Sequence, residues 1–210
     1  EERVLEKLEE GPCMLTAFVP AQRHFTVTVV RDYEDRVTVL PISEDVYITG
    51  KLKYSIVSRR LNPEWVQELK RIAFKIMDNL SGTTILSIQV KMGNNGIFYV
   101  DGVNQLPLVQ QQFSSAFLGH SMSEILVRVA TGLPIEYKEI KEEMIIVPIY
   151  ESMMEKASLL TLLKPQWDFE FFQLTSKRPT DVLGVIRLRG ASSVDLLREI
   201  EVTDLFFNVQ

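Results

Sequence analysis

Cysteine and histidine are scarce in this chain of 210 residues. The single cysteine, Cys13, excludes an internal disulfide and a cysteine-based zinc site. The two histidines, His24 and His120, leave little material for a histidine-rich metal site. We therefore assign no metal ligand from the sequence and expect a reducing compartment, the cytoplasm.

Long apolar runs and an excess of basic residues are also missing. The longest uncharged apolar stretch is far shorter than the ~20 residues that a bilayer span requires. The 23 Lys and Arg residues are spread along the chain and are outnumbered by 28 Asp and Glu, which gives a net charge of −5. We therefore expect neither a membrane nor a nucleic-acid partner.

The motifs of common catalytic sites are absent too, and the isolated candidates are weak. The chain contains no Walker loop, dinucleotide-binding glycine pattern, nucleophile elbow or metalloprotease histidine pair. Glu44 and Asp45 follow a predicted strand and could hold a cation or exchange protons, although a solvated strand end is the simpler interpretation. His24 has no carboxylate or nucleophile beside it, and Lys177-Arg178 could bind a phosphate or be merely solvated. Taken alone, these residues identify no function.

What is present indicates a folded α+β protein, since hydrophobic residues make up 46% and charged residues 24% of the chain. β-Branched alternation, an Asn-Gly turn and helix-capping residues predict the following elements. They are strands at His24–Arg31 and Arg36–Ile42, a helix from Asn62 to Leu80, a hairpin of Thr84–Val90 with Ile97–Val100, a helix from Ser121 or Ser123 to Gly132, strands at Met144–Tyr150, Glu170–Leu174 and Leu183–Leu188, and a helix from Ser192 to Ile200. A Glu- and Lys-rich stretch over 135–143 predicts a boundary between a larger unit, 1–135, and a small β-rich one, 136–210.

The order of segments along the whole chain is more informative than any single residue. The segment Gly11–Pro20, the strand–turn–strand that follows, and Leu40–Tyr47 with Gly50 come in this order. In this order the chain resembles the carboxy-terminal half of ATP-grasp ligases of the carboxyaminoimidazole ribonucleotide synthase type. The resemblance implies an ATP-grasp carboxy-terminal lobe, an antiparallel sheet with helices, over 1–135, and then a small β-rich domain.

The same resemblance implies a reaction and its cofactors. ATP with Mg²⁺ would activate bicarbonate as carboxyphosphate, and the amine of aminoimidazole ribonucleotide would attack it, a step of purine biosynthesis. Hard cations such as Mg²⁺ prefer anionic oxygen ligands, so the family's site carries carboxylates.

At the metal positions the chain departs from the family. Gln89 and Gly102 stand where the resemblance places the two magnesium carboxylates. Asp101 could partly compensate, but adjacent strand residues point to opposite faces, so a one-residue shift would be required. Glu44 is retained from the family's pattern. Asp45 and Tyr47 stand in place of an asparagine and a histidine.

The nucleotide and substrate positions depart as well. Thr16 and Ala17 replace the paired hinge glutamates, and His24 replaces the next glutamate. The substrate loop, 104–109, has lost its charge, and its residues include Leu106, Leu108 and Val109. Asp181-Val182 replaces a second basic pair, so that Arg178 is the one charged substrate-phosphate contact carried across.

Two hypotheses of different classes follow, beside a third in which the chain shares only the fold and binds a different ligand, such as a small nucleotide or peptide. The chain is either part of an ATP-dependent carbon–nitrogen ligase, with ATP and Mg²⁺ if active, or a degenerate homologue. A degenerate homologue would serve as a non-catalytic scaffold or protein-interaction module. The lost carboxylates favour the degenerate form. The chain starts at Glu1 without Met, which predicts a processed or truncated polypeptide. Expected partners are therefore the family's amino-terminal half, another protein, or a second copy in a homodimer.

Overall fold

One large antiparallel sheet organises the protein, which is represented by a computed structural model that describes residues 18–105, 119–135, 141–172 and 181–206. In chain order the elements are β1 (Ala21–Arg31), β2 (Val37–Val39), β3 (Ser43–Ile48), β4 (Lys51–Val57), α1 (Pro63–Met77), β5 (Thr84–Gly93), β6 (Phe98–Asn104), α2 (Met122–Thr131), β7 (Glu143–Ile149), a 3-10 turn (Glu151–Met153), α3 (Met154–Leu163), β8 (Asp168–Phe171), β9 (Gly184–Gly190) and α4 (Ser193–Glu201). The strands lie in the order β6-β5-β1-β3-β4-β7-β9-β8, and β2 pairs with β1. The predicted α+β class, an antiparallel sheet with helices, is confirmed.

Strand β1 separates two different faces of this sheet. Its odd-numbered residues Phe25, Val27 and Val29 are buried in an apolar cluster with α1. Its even-numbered Thr26 and Thr28 are equally buried but polar, and they face the other side because side chains alternate along a strand. One face therefore carries the core, and the other carries polar groups.

Helix α1 covers the apolar face with Leu69, Ala73 and Met77, which are spaced by one helical turn. Its first turn is capped by Asn62, whose side chain accepts a hydrogen bond from the Glu64 backbone N–H. At its other end the Arg31 guanidinium donates to the carbonyl oxygens of Met77 and Leu80. A cation at a helix C-terminus is favourable, so this buried arginine ties β1 to α1.

Helix α2 covers only the far end of the polar face. Its buried Met122, Ile125 and Val129 pack on two residues of the sheet. These are Val30 of β1, two residues beyond Thr28, and its β5 partner Ile85. Ser121 caps the helix through the Glu124 N–H, and Gly132 ends it in the left-handed conformation, φ 74°. Among the described residues, α2 leaves the part of the polar face around His24 and Gln89 to the cavity described below.

The second half of the chain extends the same sheet. Strand β7 pairs with β4 on one side and with β9 on the other, so hydrogen bonding continues across residue 135. A separate apolar cluster forms around β7, β9, α3 and α4. The predicted division at residue 135 stays a prediction, because one sheet with several cores is compatible with one domain or two.

Buried Glu143 connects this half to the first. Its carboxylate accepts hydrogen bonds from Ser58 Oγ at 2.8 Å and from the Ser193 N–H at the start of α4 at 2.6 Å. Burial alone would raise the pKa of Glu143, but these hydrogen bonds and the Arg60 charge outweigh it and hold the pKa below its usual value. The carboxylate thus replaces a side-chain N-cap that Ser192 does not provide.

Most predicted elements are confirmed, with three omissions and one overextension. The α1 and α2 helices, the β5–β6 hairpin and strands β7 and β9 lie within a few residues of their predicted bounds. The strand expected over Arg36–Ile42 is shortened to β2. The sequence reading missed β3, β4 and α3; the carboxylates of β3 disfavour a strand, and the apolar residues of α3 do not form a single face. None of the helices in the described ranges is both long and apolar enough to span a membrane.

Truncating the α1 core contact tests this arrangement. Leu69 is 0% exposed. We therefore expect Leu69→Ala to lower the free energy of unfolding by about 2–5 kcal/mol, because it leaves a cavity against β1. The adjacent Lys70 is exposed, and Lys70→Ala should change stability by less than about 0.5 kcal/mol. Urea unfolding followed by circular dichroism measures both, and equal effects would contradict this packing of α1.

Candidate functional site

A polar cavity of about 360 Å³ opens on the sheet face opposite α1. It is lined by residues of β1, β3, β5 and β6 and of the turn after β3: His24, Phe25, Asp45, Tyr47, Gly50, Gln89, Val90, Lys91 and Asp101. Five of these residues are ionisable, and they come from four different strands. A cavity of this size with several convergent polar groups is typical of a small-molecule site.

His24 occupies the middle of a row across three strands. Its register partners are Asp45 on β3 and Lys91 on β5, so the three side chains project from the same face. Its ring lies 5.0 Å from the Tyr47 ring, centroid to centroid. Burial and the Lys91 charge lower the pKa of His24, and Asp101 opposes this only in part. His24 is therefore neutral at pH 7.

The β5–β6 hairpin pairs Gln89 with Gly102, the two positions at which the resemblance places metal carboxylates. Gln89 and Gly102 are direct cross-strand partners, and a Cβ built at Gly102 would lie 3.2 Å from Gln89 Oε1. The register then shifts, because the next pair is Val90 with Val100 and Asp101 is left unpaired in the ladder. This irregularity supplies the one-residue shift that Asp101 needs in order to lie on the same side of the sheet as Gln89. Asp101 consequently lines the same cavity as Gln89.

Lys91 and Asp101 form an ion pair at the cavity. The Lys91 Nζ lies 2.6 Å from Asp101 Oδ1, and the two side chains are 28% and 46% exposed. Lys91 lies two residues after Gln89 on the same strand face. Sequence reasoning missed Lys91, although a basic residue alternating with Gln89 on a predicted strand was a usable signal.

Asp45, the β3 member of this row, is buried, whereas the sequence predicted a solvated strand end. It lies inside β3, is 3% exposed, and accepts hydrogen bonds from Thr26 Oγ1 at 2.6 Å and Ser43 Oγ at 3.0 Å. Burial raises the pKa of Asp45 to about 6, although the surrounding hydroxyls act in the opposite direction. The expectation of a solvated strand end was wrong because the sheet continues through β3 and β4.

Glu44 points to the other face of the sheet. Its carboxylate pairs with Arg23, whose guanidinium lies 5.0 Å from the centroid of the Trp65 ring on α1. It is not among the residues that line the cavity. Glu44 therefore supports the contact between the sheet and α1 in this structure.

Several predicted site residues fall outside the described residues. These are Thr16 and Ala17 at the predicted adenine positions, Arg178 at the predicted substrate-phosphate position, and most of the loop over 104–109. Their assignments stay predictions.

The donor groups around the cavity do not fit a magnesium ion. Asp101 is paired with Lys91, and Asp45 is enclosed by hydroxyls. Among the described residues, no three Asp, Glu, His or Cys side chains converge as a metal site requires. A neutral Gln89 amide is a poor substitute for a carboxylate, and Gly102 contributes no ligand.

Comparisons with known proteins agree with this fold. Residues 1–101 match the model of the ATP-grasp domain. The N5-carboxyaminoimidazole ribonucleotide synthase of Bacillus subtilis is 25% identical to this chain over 134 residues, which are 64% of this chain and 35% of that protein. The chain thus spans about a third of the curated relative that it matches. The resemblance stated from the sequence is confirmed.

Solved structures show the same architecture. The ADP complex of an N5-carboxyaminoimidazole ribonucleotide synthetase superimposes with a TM-score of 0.89 at 16% identity, over 98% of this chain and 54% of that one. The carboxyaminoimidazole ribonucleotide synthase of Aspergillus clavatus complexed with ATP gives 0.88 at 16% identity, over 100% of this chain and 56% of that one. At these identities the likeness establishes the fold.

The buried Asp45 predicts a specific dependence of stability on pH. Its folded pKa of about 6 lies above its usual 3.8. Its contribution to stability is therefore complete below about pH 4 and is lost as the pH rises through 6, a loss of about 3 kcal/mol. Asp45→Asn mimics the protonated acid and should avoid this loss.

Urea unfolding of the wild type and Asp45→Asn at several pH values between 4 and 7 measures the effect. The difference in their free energies of unfolding should grow in favour of Asp45→Asn as the pH rises. Asp78→Asn, at an exposed carboxylate after α1, is the matched control and should show no such trend. A pH-independent difference for Asp45→Asn would contradict the burial of this carboxylate.

Proposed function

We propose that this chain is the carboxy-terminal part of a divergent ATP-grasp protein related to the N5-carboxyaminoimidazole ribonucleotide synthases. In this proposal its cavity binds a nucleotide but does not turn over ATP. One observation carries the proposal: Gln89 faces Gly102 across the hairpin, in a cavity whose remaining carboxylates already have partners. The chain would therefore descend from enzymes of purine biosynthesis and would have lost their carboxylation step.

Nucleotide binding is supported by the shape and chemistry of the cavity. Its volume of about 360 Å³ falls in the range of small-molecule sites. Lys91 supplies a positive charge for phosphate oxygens, and His24 and Tyr47 supply aromatic surface. Two of the structurally similar proteins are complexed with ADP and ATP.

Loss of turnover is supported by the electrostatics of phosphoryl transfer. Such reactions depend on cations that neutralise charge developing on the phosphate oxygens, and the protein must hold those cations with anionic oxygens. Here the two positions opposite each other on the hairpin carry no charge. Asp101 alone cannot replace them while it is engaged by Lys91 at 2.6 Å.

The same proposal includes the part that would cover the open side of the cavity. The chain spans 54% and 56% of the two solved relatives. We propose that the family's amino-terminal half or a protein partner, including a second copy, covers the cavity from the other side.

A scaffold role is the second candidate, and an exposed stripe on α3 favours it. Leu159, Leu162 and Leu163 lie at helical spacing and are 56%, 79% and 63% exposed. Such a stripe suits a protein partner. If the protein binds no nucleotide, its role would instead be to bind a protein partner at this surface.

Restoring carboxylates tests the loss of turnover. The wild-type protein, in its full natural length, should hydrolyse no ATP above the protein-free rate. Gln89→Glu combined with Gly102→Glu should introduce Mg²⁺-dependent nucleotide binding, because two opposed carboxylates recreate an oxygen site. The Cβ of the new side chain at 102 meets only the side-chain ends of residues 89 and 104, so the hairpin should accept it.

Isothermal titration with ATP, with and without Mg²⁺, measures binding, and phosphate release measures turnover. Gln67→Glu on the exposed surface of α1 is the control for an added charge. Mg²⁺-dependent hydrolysis by the wild type would overturn the degeneracy. Failure of the wild type to bind any nucleotide would favour the scaffold role.

A further inference from the structure

We propose that Lys91 is a built-in cation which takes over the phosphate-neutralising role of a divalent metal ion in this cavity, so that nucleotide binds without Mg²⁺. This inference rests on the proposed nucleotide site and specifies how that site recognises phosphate. It follows from the disagreement between the donor groups of the cavity and the needs of a metal.

The position of Lys91 carries the first step. It lies on the strand that carries Gln89, two residues along and on the same face, and it lines the cavity together with Gln89 and Asp101. Same-face neighbours on a strand are about 6.6–6.8 Å apart. Lys91 is thus the same-face neighbour of Gln89, and the resemblance places metal carboxylates at Gln89 and its partner Gly102.

The ion pair with Asp101 carries the second step. Asp101 lies at the register shift of the hairpin, and its Oδ1 holds the Lys91 Nζ at 2.6 Å. An ammonium group has three N–H donors, so two are left to turn toward phosphate oxygens. The bulged Asp101 therefore positions the lysine, and this pairing also removes Asp101 from the carboxylates that could bind a metal ion.

Lys91 is the one Lys or Arg among the described residues that line the cavity. His24 is neutral at pH 7 and faces Lys91 across the β1–β5 register. Asp45 lines the cavity but is 3% exposed, and its carboxylate accepts hydrogen bonds from Thr26 Oγ1 and Ser43 Oγ. A divalent cation here would meet a lysine ammonium and two carboxylates that already have partners, whereas a phosphate would meet the ammonium.

Titration of the protein with ADP, in excess EDTA and in excess MgCl₂, tests this proposal. The two dissociation constants should agree within about threefold. Lys91→Met should weaken ADP binding about 10- to 100-fold under both conditions, because it removes charge-assisted hydrogen bonds. Lys70→Met, at an exposed lysine of α1, is the matched control and should bind like the wild type.

A second variant separates a positioning carboxylate from a metal ligand. Asp101→Asn keeps a side-chain oxygen that accepts from Lys91 Nζ but removes the negative charge that offsets the ammonium, so it should tighten ADP binding about threefold or more in EDTA. If Asp101 instead ligates a metal, Asp101→Asn should abolish a Mg²⁺-dependent component. Thermal unfolding of each variant should match the wild type, which confirms that the hairpin is intact.

The outcomes distinguish this inference from the proposed function. ADP binding that requires Mg²⁺ and survives Lys91→Met would overturn the role of Lys91 while leaving the nucleotide site in place. Absence of ADP binding by the wild type under both conditions would overturn both.

Discussion

The central strand β1 constrains the rest of the structure, because it is paired on both edges and buried on both faces. It hydrogen-bonds to β5 over nearly its full length and to β3 and β2 on its other edge. Alternation along a strand then forces adjacent residues into opposite environments. Phe25 joins the core with α1, whereas His24 and Thr26 enter the polar side. Core and candidate site are two faces of one strand, so neither can shift in register without the other.

On the polar face, the carboxylates of the cavity are paired with other side chains of the protein. Buried hydroxyls surround Asp45, and an ion pair joins Lys91 to Asp101. Each arrangement satisfies groups that would be costly to bury unpaired. A carboxylate that already has a partner is less available to a metal ion, because the ion would have to displace that partner. The same contacts that stabilise this face therefore make its carboxylates less available to Mg²⁺, and Lys91 lines the same cavity.

Local signals predicted those elements that local interactions stabilise. Asn62 and Pro63, followed by an apolar face, predict α1, and Asn95-Gly96 predicts the β5–β6 hairpin. Strands β3 and β4 lacked such a signal: their turn at Thr49-Gly50 uses positive φ at both residues, and Thr49 is an unusual choice for it. Their stability comes from pairing with β1 and β7, distant in sequence, so no local window contains it.

By itself, the sequence determined the class of fold, the resemblance to ATP-grasp ligases, and the uncharged character of Gln89 and Gly102. These properties depend on residue identity, residue order and short-range periodicity, all of which the linear sequence contains. Only the tertiary structure decided that Glu44 faces Arg23 and α1, that Asp45 is buried, and that Asp101 joins Lys91 at the cavity. The physical reason is that these outcomes depend on strand register. A single irregularity between paired strands selects the face on which a charge emerges.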